Sequence, residues 1–218
     1  FSPREVTWQH MENYDRGGGG VNVFCRQHGI KLRVVDVGVD HDFDHKKSPS
    51  IIDRKIAYGT KNFLNEAAMS EEEYEKALKI GAEMVDECHK EGCNVISFGE
   101  MGIAKTSPSS IFMHLFLDIP LDKCVGAGSG LSHSGIEHKY KVLKQAVDNF
   151  RSHVFMRDDL AADNEAVTRL IIRYFGGFEL VAAIGGMLRA AELGMVVLVD
   201  GFIMPACMLA AWKIDATV

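Results

Sequence analysis

Apolar positions along this chain alternate between two rhythms. The runs Leu32 to Val39 (LRVVDVGV), Asn94 to Gly99, Lys123 to Gly128 (KCVGAG) and Met195 to Phe202 (MVVLVDGF) are apolar almost without interruption, as parallel strands buried on both faces are. Between them the apolar residues recur at helical spacing. Ser70 followed by Glu71-Glu72-Glu73 predicts a helix with Ser70 as N-cap and Glu73 closing a capping box, running to about Lys90 before Gly92. Further helices are predicted from about Ser134 to Phe150, Asn164 to Tyr174 and Phe178 to Leu193, the last stopped by Gly194. Strands separated by helices of this length predict βαβ crossovers and an α/β fold with a doubly wound, mainly parallel sheet.

Each predicted strand runs into a glycine or an acid: Gly38 and Asp40, Gly99 and Glu100, Gly126 and Gly128, Asp200 and Gly201. Ligands of such sheets bind at the carboxyl ends of the strands, so these residues predict one crevice. Its most informative part is the stretch Ser97 to Ser110. Val95-Ile96 leads into a glycine-bounded turn, and a helix follows with Ser107 suited to N-cap and Pro108 to the first helical position. Free N–H groups at a helix start suit phosphate. Glu100, inside that turn, would repel a phosphate at close range, so the loop holds something more than phosphate; the plain alternative is a strand-to-helix connection with an exposed acid.

A second glycine turn, Gly126 to Leu131 (GAGSGL), approaches the dinucleotide fingerprint, but its third glycine comes one residue too early. Lys139, about one turn into the next helix, either reaches a phosphate held there or is one of several solvated lysines. Gly99 to Thr106 is also one substitution from a P-loop, with Val196 to Asp200 as the magnesium-binding strand. Ala104 beside the lysine and the charge of Glu100 rank that reading lower.

Other segments carry less chemistry. Gly17 to Gly20 is either a flexible linker or a close-approach turn before a short apolar helix, Val21 to His28. His41 and His45 with Asp40, Asp42 and Asp44 read as a solvated loop more readily than a metal cluster, since nothing in the spacing fixes a geometry. The helix Phe178 to Leu193 has apolar and small residues on more than one face, and so needs cover from the sheet and from another helix, in this chain or in a second subunit.

Composition narrows the class. The chain has 218 residues, 47% of them hydrophobic, enough for one sizeable core or one domain with an appendage. A net charge of −6 without a Lys/Arg block argues against nucleic acid. Five scattered cysteines without a C-x-x-C read as reduced thiols of a cytosolic protein. No apolar run approaches about 18 residues, which argues against a membrane span. The start at Phe1 and the helix-like stretch Ala206 to Lys213 near the end raise the expectation of a piece of something longer.

GEMGIAKTSPSS (Gly99 to Ser110), with PREVTWQ (Pro3 to Gln9), VDVGVD (Val35 to Asp40), IDRKIAYGTKNF (Ile52 to Phe63), GAGSGL and VLVDGF (Val197 to Phe202), resembles the nicotinate-nucleotide–dimethylbenzimidazole phosphoribosyltransferase (CobT) family, in order from about Ser2 to Trp212. The resemblance implies a Rossmann-like large domain, here residues 31–218 and incomplete at the C-terminus. It also implies a small domain built from both chain ends, to which the helical segment 1–30 would belong. It implies a cytoplasmic homodimer that transfers ribose 5-phosphate from nicotinate mononucleotide to 5,6-dimethylbenzimidazole, or a related base, in making the lower ligand of cobalamin. Neither a metal nor a redox cofactor is implied.

Carried over by residue, Gly126, Gly128, Ser129, Gly130 and Lys139 would hold the phosphate, and Glu100, Met101, Gly102, Gln9 and Ser2 would line the ring and ribose. The family's catalytic glutamate lies in a G-E-G segment past the VLVDGF strand. The resemblance places that segment beyond Val218, so no residue of this chain is assigned the role of base. The family's usual run after GEMG is I-G-N-T-T, where this chain has Ile103-Ala104-Lys105-Thr106-Ser107. Lys105 replaces a neutral donor by a cation and bears on contacts with the carboxylate of nicotinate. A nucleotide-binding module without the base and a P-loop-like NTPase are the alternatives.

Overall fold

The computed structural model describes residues 3–154 and 164–218. In chain order its elements are α1 (Glu5–Asp15), α2 (Gly20–His28), β1 (Val34–Asp36), β2 (Ile51–Asp53), α3 (Glu71–Lys90), β3 (Val95–Ser97), α4 (Thr106–Leu117), α5 (Leu121–Cys124), α6 (His133–His153), α7 (Asn164–Phe175), α8 (Phe178–Glu192), β4 (Val196–Leu198) and α9 (Ile203–Ile214). The α/β class and the parallel pairing hold. β1 pairs with β2, and β3 pairs with β4 across a long helical crossover.

The sheet itself is smaller than the apolar runs suggest. Among the described residues it consists of two separate pairs of three-residue strands. The expected strand Lys123 to Gly128 is absent: Leu121–Cys124 form a helical turn after Pro120, and Val125 is extended without a ladder partner. β2 has no counterpart among the expected strands, because Ile51-Ile52 is too short an apolar run to stand out beside its polar loop.

The helices follow their sequence more closely. Ser70 caps α3, its hydroxyl accepting from the Glu73 N–H at 3.1 Å while the Glu73 carboxylate accepts from the Ser70 N–H at 2.7 Å. The glycine run proves to be a close-approach turn. A Cβ on Gly19 would fall 2.4 Å from the Tyr14 ring, and the Asn22 side chain accepts from the Gly19 N–H and donates to the Tyr14 carbonyl. α9 closes at Ile214, where the Asp215 carboxylate accepts from the N–H and hydroxyl of Thr217.

The core gathers Tyr74 of α3, Phe112 of α4, Phe150 of α6, Phe175 of α7 and Leu180, Ile184 and Met187 of α8, all fully buried. α8 is its axis, and its small residues are consumed inside the chain. α3 lies so close that a Cβ on Gly81 would meet the Ala182 carbonyl oxygen at 1.8 Å, and one on Gly185 the Leu78 carbonyl oxygen at 2.1 Å. β4 and α9 cover other sides of α8. The two-sided cover that its composition demands therefore comes from within.

Asp36 organises the end of β1. Its buried carboxylate accepts from the N–H groups of Gly38 and Val39 and pairs with Lys55 Nζ at 2.7 Å, joining the segments that follow β1 and β2. Gly38 is required there because a Cβ would lie 2.5 Å from the Phe178 ring at the start of α8. In the loop that follows, His41 stacks on Trp8 of α1 at 4.5 Å and His45 lies 3.7 Å from Asp53. Among the described residues no group of three or more His, Cys, Asp or Glu is placed to hold a metal ion.

Candidate active site

Two glycine turns meet at the first turn of α4. The chain leaves β3 through Phe98-Gly99, passes Glu100-Met101-Gly102 and becomes helical at Thr106. The cap differs from expectation. Lys105 stands at N-cap without a side-chain capping bond, and the Ser107 N–H donates to the Ala104 carbonyl at 2.9 Å. Pro108 is thus the third helical residue, where its missing N–H still costs nothing. Ala104 makes the turn at φ +70°, a left-handed conformation that disfavours an L-residue by about 1–2 kcal/mol.

Two buried serines fix what lies beside this turn. Ser109 Oγ donates to the Lys105 carbonyl at 3.1 Å, and Ser110 Oγ lies 2.8 Å from the carbonyls of both Thr106 and Cys124. The last contact ties α5 to α4 and so sets Gly126, two residues on, near the helix start. Gly128 and Gly130 have φ of +56° and +109°, conformations suited to glycine. A Cβ on Gly128 would lie 3.1 Å from Thr106 Oγ1. Ser132 then caps α6, one residue earlier than its apolar pattern suggests. From that helix Lys139 Nζ donates to Thr106 Oγ1 at 2.7 Å and to the Gly126 carbonyl at 3.4 Å. Burial lowers the pKa of this lysine. The structure thus brings Gly126, Gly128 and Lys139 together at Thr106, with Ser129 and Gly130 exposed on the same turn.

On the other side of Thr106 the chemistry is acidic. The Glu100 carboxylate, about 10% exposed, sits 2.7 Å from Lys105 Nζ. Burial raises its pKa and the lysine opposes that rise. Glu179, in the first turn of α8, lies against the same loop. A Cβ on Gly177 would fall 2.6 Å from one of its carboxylate oxygens, and one on Gly102 would fall 3.1 Å from the other. Burial above all, with the charge of Glu100, pushes Glu179 up to about 7, against its own backbone N–H and Lys105. Tyr14 of α1 and Cys207 of α9 feel these acids: both have raised pKa values chiefly from burial, Tyr14 further from Glu100, and Cys207 from Glu179 and Glu100.

The remaining expected site residues are placed less centrally. Met101 and Gly102 are half-buried in the same loop. Gln9 lies on the exposed side of α1, and among the described residues no hydrogen bond joins it to Glu100. Ser2 lies outside the described residues. Val218, beyond which the resemblance puts the base, is itself no part of the site. Its side chain packs on the core and its N–H donates to the Asp215 carbonyl at 3.3 Å, continuing the turn that closes α9.

Glu179 has no place among the sequence-derived candidates, although it is the one acid in the apolar run Phe178 to Leu188 and that isolation is a usable signal. Its raised folded pKa gives a testable sign. The protonated form favours the fold, so its contribution is fully present below the ordinary value of 4.5 and is lost as pH rises through about 7. Glu179→Gln, neutral throughout, should gain stability over the unmodified chain as pH is raised from about 5 to about 8. Thermal unfolding across that range measures it, and parallel curves would mean a solvated carboxyl.

Over residues 1–218 the sequence matches the DBI_PRT phosphoribosyltransferase family. The chain belongs to that family. The chain is 54% identical to the nicotinate-nucleotide–dimethylbenzimidazole phosphoribosyltransferase of Phocaeicola vulgatus, across 100% of the chain and 59% of that protein. It is 53% identical to the protein of the same name from Bacteroides fragilis, across 97% of the chain and 57% of that protein. Among solved structures it is similar to CobT from Thermus thermophilus, with a TM-score of 0.87 at 30% identity, covering 99% of the chain and 60% of that structure. The chain thus spans about three fifths of the length of these relatives.

Proposed function

We propose that this chain binds nicotinate mononucleotide across the first turn of α4 and transfers its ribose 5-phosphate to 5,6-dimethylbenzimidazole or a related base. The products are α-ribazole 5′-phosphate and nicotinate, for assembly of the cobalamin lower ligand. The convergence of Lys139 with Gly126, Gly128 and Thr106 carries the reading: a lysine, two glycine turns and two helix starts gathered at Thr106 suit a phosphate. Gly126, Gly128, Ser129, Gly130 and Lys139 hold the 5′-phosphate. Glu100, Met101 and Gly102, with Gln9 and Ser2 from the N-terminal segment, line the ring and ribose.

The chemistry asks little beyond positioning. A benzimidazole nitrogen attacks the anomeric carbon as the bond from that carbon to the pyridinium nitrogen breaks, the electron pair leaving with nicotinate. The leaving group needs no proton, and the acceptor must lose its N–H proton to a base. The P-loop alternative is disfavoured because Lys105 is engaged by Glu100 and Asp200 is exposed.

Residues 1–30 are assigned to a small helical domain and 31–218 to the phosphoribosyltransferase domain. The protein acts in the cytoplasm; among the described residues no helix is long and apolar enough to cross a membrane. A homodimer follows from the family resemblance. The small residues of α8 no longer argue for it, but the exposed row Val95, Val196 and Leu198 on one face of β3 and β4 offers an apolar surface to a second copy. A monomer mass in light scattering at micromolar concentration would reject it.

Calorimetry with nicotinate mononucleotide against ATP–Mg²⁺ tests the substrate, with heat expected from the first alone. Lys139→Ala should weaken that binding about tenfold to a hundredfold, the worth of a charge-assisted hydrogen bond to phosphate. Unchanged affinity in a folded variant would remove Lys139 from the site.

A further inference from the structure

The proposed donor carries two anionic groups, a phosphate on its ribose and a carboxylate on its flat ring. The structure has two ammonium groups bracketing the first turn of α4. Lys139 Nζ lies on the GAGSGL side, 2.7 Å from Thr106 Oγ1. Lys105, the residue before Thr106, turns its ammonium to the GEMG side, 2.7 Å from Glu100. We propose that Lys105 is a specificity-determining residue: its ammonium takes the ring carboxylate of the donor and so selects a pyridine-3-carboxylate nucleotide over the matching uncharged amide. This rests on the reading of the donor as nicotinate mononucleotide.

The charge pattern around the GEMG turn carries the inference. Glu100 and Glu179 already place two carboxyls there, with Tyr14 and Cys207 as neutral neighbours. A ligand carboxylate brought beside Glu100 meets a like charge and loses water, so it needs a cation to receive it. Among the described residues, Lys105 is the cation whose charge bears on both Glu100 and Glu179. Its side chain is about 24% exposed, so a ligand can reach it. Moving from Glu100 to the ligand exchanges one carboxylate partner for another of the same kind, and the long lysine stem permits the swing. Glu100, freed by that exchange, becomes available to the ribose or the acceptor ring. The resemblance gives the family an uncharged asparagine at this position, so Lys105 adds a charge there.

Calorimetry with nicotinate mononucleotide and nicotinamide mononucleotide, on the full chain and its variants, tests this. The unmodified chain should favour the carboxylate by about tenfold or more. Lys105→Asn should erase the preference by weakening the carboxylate nucleotide alone, Lys105→Arg should keep it, and Lys139→Ala should weaken both nucleotides alike. Equal binding of the two nucleotides by the unmodified chain overturns the role of Lys105 and leaves the functional reading standing. An equal loss of both in Lys105→Asn does the same. Binding of neither by the unmodified chain overturns the functional reading and this inference with it. Should Lys105→Asn fail to fold, the ratio in the unmodified chain and in Lys105→Arg still decides.

Discussion

Assayed as these 218 residues, the chain should bind nicotinate mononucleotide yet transfer its ribose about 10²- to 10⁴-fold more slowly than the Phocaeicola vulgatus relative. That span is what a positioned general base contributes, and the acceptor N–H is the proton such a base must remove. Neither carboxyl beside the GEMG turn is suited to the task. In the proposed arrangement Glu100 is a carboxylate that binds the donor, and Glu179, buried, carries a proton up to about pH 7. The family resemblance puts the base in a G-E-G segment, and that triplet does not occur in these residues. Chromatographic detection of α-ribazole 5′-phosphate and nicotinate measures the rate, with calorimetry confirming that donor binds. A full rate that disappears in Glu100→Gln, with donor binding intact, would make Glu100 the base.

Gly81→Ala should destabilise the fold by about 3 kcal/mol, lowering the melting temperature by about 6–12 °C. The added methyl would stand 1.8 Å from the Ala182 carbonyl oxygen and 2.7 Å from the Gly186 nitrogen. Both are backbone atoms of α8, so no side-chain rotation relieves the clash and the helix must shift as a body. Such a shift reaches the site, because Phe178 packs on Gly38 and Glu179 on Gly102 at the other end of α8. Donor affinity should therefore fall with stability, although Gly81 touches no ligand. Gly20→Ala is the control: it opens α2, has no atom within 4 Å of its Cβ position, and should change stability by less than about 0.5 kcal/mol. Equal effects of the two substitutions would mean that α3 and α8 are less closely packed than described.

What could be read from the sequence was what local chemistry decides. The capping box at Ser70 and Glu73 depends on four consecutive residues and formed as written. Lys139, which the sequence leaves open between a phosphate contact and a solvated lysine, is placed by its bonds to Thr106 and Gly126. Failures arose where tertiary contacts choose between local options. Cys124-Val125 is as apolar as a strand, but Pro120 starts a helical turn and Ser110 fastens the Cys124 carbonyl to α4. Ser107 has the right chemistry for a cap, but the left-handed turn at Ala104 starts the helix two residues sooner. The pairing of Lys105 with Glu100 depends on the path of the turn between them. The approach of Glu179 depends on how α8 packs, which no local pattern encodes.

Cys207 has no exposed surface, and burial next to Glu179 and Glu100 raises its pKa well above that of an ordinary thiol. A thiol reagent attacks only the thiolate, so in the closed fold this cysteine is both unreachable and in the wrong protonation state. Cys25, partly exposed on α2, has no such protection. Cys124 is buried as well, so labelling read site by site, with Cys207 timed against Cys25, counts the moments at which α8 and α9 separate behind the site. Its rate converts to an opening free energy. A donor that slows the reaction would be one whose binding holds those helices shut, making a single unmodified side chain a clock for breathing of the site.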